Sequence, residues 1–66
     1  MHEHLEGKLG RVTDEIPAGG QRRGEVMIDG QAYYATGADQ DVVIPRGTRV
    51  VVVEHYPPRT VVVTPM

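Results

Sequence analysis

Apolar and polar residues alternate along most of this chain, with a period of two that marks β-strands. "KLGRVTD", Lys8 to Asp14, carries Leu9 and Val12 as its apolar members and reads as a first strand. "RRGEVMI", Arg22 to Ile28, sets Val26 and Ile28 on one face and Glu25 and Met27 on the other, with Gly24 allowing a bend or bulge. "QAYYAT", Gln31 to Thr36, puts Tyr33 and Ala35 on one face and Tyr34 on the other. Thr48 to His55 and Thr60 to Thr64 are the fourth and fifth strands, and here the alternation fails. Val50 to Val53 and Val61 to Val63 are unbroken valine runs, so both faces of these strands are apolar.

The punctuation supports the same division. Asp29-Gly30 between two strand patterns favours a type I′ hairpin turn, which needs positive φ at both central residues. Pro17, Gly19 and Gly20 mark a loop, and Pro45-Arg46-Gly47-Thr48 a turn. Pro57 and Pro58 cannot donate ladder hydrogen bonds, so the fourth strand must stop before them. Gly37 to Gly47 holds no element of ordinary length, and Asp39 to Ile44 is expected to form one short helical turn.

Five short strands in 66 residues allow one domain and little or no helix. The fold class expected is all-β. A five-stranded barrel of the OB type fits best, because closure removes the unpaired edges that invite aggregation. Its core is expected to hold Leu9, Val12, Val26, Ile28, Tyr33, Ala35, Ile44, Val50, Val52, Val61 and Val63. Residues 1–6 are expected to be a disordered tail and residues 7–66 the domain.

Composition narrows the function. The formal net charge is −2, from 7 basic and 9 acidic residues, far from the strongly basic balance of a dedicated nucleic-acid binder. There is no cysteine, so disulfides and thiolate metal sites are excluded. The polar, acidic start "MHEHLEGK" is no signal peptide, and no apolar run approaches the ~20 residues of a membrane span. The expectation is a soluble domain, cytoplasmic or associated with a membrane only through a parent protein.

The ordered pieces "GKLGRV", "VMIDGQAYYA", "IPRGTRVVV" and "TVVVTP" resemble the C-terminal soluble domain of NfeD-like proteins, from about Gly7 to Pro65. That pattern is a G-x-x-G opening, an I-x-G hairpin, an aromatic followed by a small residue, I-x-x-G-x-x-V-x-V, and a closing L-x-V-x-P. This chain departs from it with Tyr33 where tryptophan is common and Val61 for the usual leucine, both changes of volume within a core. The membrane helices and the serine-protease-like domain of the family's long forms are not in this chain, so their proteolysis is not carried over. The resemblance implies an OB-fold domain of a membrane-associated protein. It also implies partnership with stomatin-, prohibitin- or flotillin-like scaffold proteins in membrane organisation or quality control.

Each candidate site also has a plainer reading. Val51, Val53 and Val62 form an outward apolar patch that would dock a partner or a second copy, with Tyr34 and Tyr56 as anchors. The plainer reading is that these valines only favour strand geometry. Arg11, Arg22, Arg23 and Arg49 would have to converge around Tyr34 to serve the alternative function, single-stranded nucleic-acid binding. Against it stand the interspersed acidic residues. His2, Glu3 and His4 carry zinc-ligand chemistry on what reads as a tail, and Asp39 and Asp41 are two carboxylates where calcium needs ~6–8 oxygens. His55 has no nucleophile at a motif spacing. The expectation is a non-enzymatic interaction module with no metal and no cofactor, its partner a protein scaffold or itself.

Overall fold

A computed structural model describes residues 4–66. It contains five strands: β1 (Leu9–Asp14), β2 (Gly24–Ile28), β3 (Gln31–Gly37), β4 (Arg49–Tyr56) and β5 (Thr60–Pro65). They close into a barrel in the order β1-β2-β3-β5-β4, with β4 returning to β1. Only the β3–β5 contact is parallel. This is the five-stranded OB-type barrel that the alternation predicts. No helix among the described residues is long and apolar enough to cross a membrane.

The β2–β3 turn follows its sequence signal, with φ of 51° at Asp29 and 81° at Gly30. The short helical turn expected over Asp39 to Ile44 reduces to a single turn without helix, Val42 N–H donating to Asp39 O at 3.3 Å. Asp39 folds its side chain onto the chain instead, its Oδ1 accepting the Asp41 N–H at 3.0 Å. This local bond competes with helix and favours a turn. Ile44 is then free to pair with Ile16 through two reciprocal backbone hydrogen bonds of 2.9 Å.

The core holds Val12, Val26, Ile28, Tyr33, Ala35, Ile44, Val50, Val52, Val61 and Val63, as expected, and adds Leu5 and Ile16. Leu9 is a correction, being 55% exposed. It lies three residues from Val12, and odd spacings in a strand point to opposite faces. The inward residue between them is Gly10, where a Cβ would come within 2.8 Å of Ile28 Cγ1. Gly24 is a second correction. It makes no bulge but pairs in register with Ala35, buried where a Cβ would lie 2.5 Å from the carbonyl oxygens of Asp14 and Glu15.

The bulges fall where the ladder has one residue too many, between Val12 and Asp14 in β1 and between Val52 and Glu54 in β4. A bulge sets two adjacent residues against one on the partner and bends the strand, which a small barrel needs in order to close. In β4 this leaves Val53 and Glu54 both exposed and turns His55 inward. There the imidazole meets Tyr33 edge-on, with ring centroids 6.2 Å apart.

The residues before β1 extend the β1–β4 seam. Gly7 N–H donates to Val52 O at 2.8 Å, and Val52 N–H donates to Lys8 O at 2.9 Å. Leu5 is buried, and the Glu6 carboxylate accepts the His55 N–H at 3.2 Å. Hydrogen bonding to its own backbone amide lowers the Glu6 pKa from its ordinary value; desolvation opposes this, and the bond from the His55 amide lowers it further.

Two outcomes follow. Leu5→Ala should cost about 2–4 kcal/mol, and Leu9→Ala no more than about 0.5 kcal/mol, in denaturant unfolding. Equal losses would contradict the assignment of Leu5 to the core. Because the folded pKa of Glu6 is depressed, its contribution is present above the ordinary carboxylate value and lost as pH falls through the lower folded value. The His55 amide signal should therefore titrate below the ordinary Glu range, and Glu6→Gln should abolish that step.

Candidate interaction surface

Closure fixes which side chains share the outside. On one side of the barrel three strands, β3, β5 and β4, set a row of outward residues in register: Tyr34, Thr60 and Tyr56. The next row along is Thr36, Val62 and Glu54. Val53, the extra residue of the bulge, stands beside Glu54 and is 41% exposed. Val51 pairs with Thr64 of β5, one diagonal step from Val62. Val51, Val53 and Val62 thus lie together on the outer wall, with Val51 and Val62 half-buried by their neighbours.

The two tyrosines are held in place. Arg23 lies over the Tyr34 ring, its guanidinium carbon 4.6 Å from the centroid, a cation–π contact. The Tyr56 hydroxyl donates to Glu54 Oε1 at 3.1 Å. That bond, then the carboxylate's charge, raises the phenol above its ordinary pKa. A docking residue held in one rotamer loses less entropy on binding.

The arginines do not converge on Tyr34. Arg23 alone reaches it. Arg11 pairs with Arg49 across β1 and β4, and its other neighbour is Met27 of β2. Two strand spacings, roughly 10 Å, separate β1 from β3, and Glu25, the cross-strand partner of Tyr34, lies between. Arg22 is exposed in the loop before β2. The arrangement needed for stacking and threading a single strand is therefore absent among the described residues.

The remaining candidates are used locally. His2 and Glu3 lie outside the described residues, while His4 Nδ1 sits 3.9 Å from Glu6 Oε1. No three His, Asp or Glu side chains gather as a metal set among the described residues. A recess of about 270 Å³ between the segment before β1 and the β2–β3 turn is lined in part by Lys8, Asp29, Gln31 and Tyr33. Lys8 Nζ and Asp29 Oδ2 pair across it at 2.7 Å.

Leu9, expected in the core, is exposed on β1, and Met27 is exposed on β2 on the face opposite Val26 and Ile28, as the alternation predicts. The spacing of Leu9 to Val12 carried that signal. Leu9 is the cross-strand neighbour of Val51, so the apolar wall continues past the β1–β4 seam.

The family profile of the NfeD C-terminal domain matches residues 9–64. Three solved structures share the fold. The soluble domain of the NfeD protein YuaF from Bacillus subtilis is 35% identical, with a TM-score of 0.76, over 92% of this chain and 73% of that one. The soluble domain of a membrane protein implicated in regulation of membrane protease activity, from Corynebacterium glutamicum, is 25% identical. It aligns with a TM-score of 0.78 over 89% of this chain and 87% of that one. The C-terminal domain of stomatin operon partner protein 1510-C from Pyrococcus horikoshii is 22% identical, with a TM-score of 0.76, over 94% and 88%. At that identity it supports the fold alone. No curated protein sequence matches the chain significantly.

The Tyr56–Glu54 contact gives a spectroscopic check. Ultraviolet titration should show a phenol ionising above its ordinary value, and Glu54→Ala should bring it down. The sign is that of a raised pKa, so the bond's contribution is present below the unfolded phenol value and lost as pH climbs through the folded one. An unchanged titration in Glu54→Ala would rule out the contact as the cause.

Proposed function

The chain belongs to the NfeD C-terminal domain family, and on that premise we propose that it is a non-enzymatic docking module of a membrane-associated protein. Its partner is a stomatin-, prohibitin- or flotillin-like scaffold protein, and the work of the pair is membrane organisation or quality control. The observation that carries this reading is the outer wall of β3, β5 and β4. Val53 and Val62 are flanked there by two orientationally fixed tyrosines, Tyr34 under Arg23 and Tyr56 bonded to Glu54.

This composition suits an interface. Tyrosine and arginine are enriched at binding hot spots, and a modest apolar centre with a polar rim is the usual anatomy. The barrel also has every strand paired on both sides. A partner therefore gains nothing by adding a strand and must read outward side chains.

The test replaces Val51 and Val53 with Thr, which keeps side-chain volume and strand preference but lowers apolarity. Binding of the doubly substituted domain to a stomatin-like scaffold, followed by calorimetry without lipid, should weaken by about tenfold. The unfolding midpoint should stay close to that of the unsubstituted chain. Undiminished binding would count against this wall as the docking surface.

A further inference from the structure

The opposite side of the barrel breaks a local rule. Arg11 and Arg49 face each other directly across β1 and β4. The Val12 N–H donates to Thr48 O rather than to Arg49, so this is the pair type whose side chains come closest. Like charges set opposite one another in this way repel. Neither guanidinium has a hydrogen-bond or ion-pair partner among the described residues. Charge repulsion retained without a compensating contact marks a position shaped by something outside the fold.

The surroundings say what that is. Arg46 is exposed in the turn that leads into β4. Leu9, 55% exposed, and Met27, 39% exposed, flank the arginine pair. Leu9, Arg11, Met27 and Arg49, with the small Gly10 and Thr13 between them, line one shallow depression. Lys8 is paired with Asp29. Asp14 and Glu25 oppose each other across β1 and β2, Glu25 two residues before Met27, and neither forms an ion pair with Arg11 or Arg49. An arginine pair on the seam, flanked by exposed apolar side chains, complements a surface of spread phosphates above an apolar layer. It fits a single buried carboxylate less well.

We propose that this β2-β1-β4 face is a membrane-contact site that takes the phosphates of anionic lipid headgroups, with Leu9 and Met27 entering the interface. The inference rests on the reading that the domain belongs to a membrane-associated protein. Tethering in a parent protein would raise the local concentration of lipid and strengthen a contact that the free domain already makes. The face adjoins the β3-β5-β4 wall at Leu9 and Val51, which face each other across β1 and β4, and leaves the rest of that wall open to a protein partner. Val51 lies at the border of the two.

The whole chain is mixed with phosphatidylcholine vesicles, with and without phosphatidylglycerol, at low and moderate salt. Sedimentation and amide NMR are recorded together. The expected result is sedimentation only with phosphatidylglycerol, reversed by salt, with selective loss of the Leu9, Arg11, Met27 and Arg49 signals. Arg11→Glu with Arg49→Glu should reduce it by at least about tenfold, while an unchanged spectrum elsewhere shows the variant folded. Equal sedimentation with phosphatidylcholine alone, or none, would overturn the proposal. So would binding that survives the charge reversal. Soluble polyglutamate that moves the same signals when vesicles do not would assign the face to an acidic protein segment instead. The lipid-free scaffold assay with the Val51 and Val53 substitutions does not use the arginines, so the two readings can fail separately.

Discussion

Closure of the β1–β4 seam is the constraint on which the rest depends. Without it five strands of five to eight residues would leave two exposed edges. With it every strand is paired on both sides, and the residues just before β1 lengthen the seam through Gly7, Lys8 and Val52. A barrel this narrow has a small interior. It is filled largely by valine and isoleucine, and at Gly10 and Gly24 it admits no side chain at all. The same closure decides how the domain can be recognised. It has no edge to lend, so a partner must meet the outward side chains of the wall.

That is why the valine runs matter. In β4, Val50 and Val52 fill the core and Val51 faces out; in β5, Val61 and Val63 face in and Val62 out. The bulge then adds Val53 to the outer set and places Glu54 beside it, where its carboxylate holds Tyr56. One irregularity in one strand thus bends the barrel, turns His55 toward Tyr33, and enlarges the outer apolar wall.

Much of this was legible in the sequence. Period-two alternation and the Asp29-Gly30 turn gave five strands, and the order of the motifs gave the family. Inward residues in the valine runs followed from parity alone. Leu9 matches Val12 in hydrophobicity alone; a spacing of three in a strand sets them on opposite faces, and Leu9 lies outside. Leu5 and Ile16 lie in no alternating run; Ile16 is buried where it pairs with Ile44, and Leu5 two residues before the Gly7–Val52 bond. Pairwise facts of this kind carry no local signal. The same holds for Arg11 and Arg49, 38 residues apart in the chain and adjacent only after the seam closes.

The central claim is that the valines divide between a filled interior and a wall that meets a protein partner. Valine-methyl NMR on the selectively labelled chain, recorded as a stomatin-like scaffold is added, addresses it most directly. The account predicts shifts and broadening at the methyls of Val51, Val53 and Val62, with those of Val50, Val52, Val61 and Val63 unmoved. Perturbation of inward and outward valines alike, or of neither set at concentrations where the scaffold binds, would contradict it.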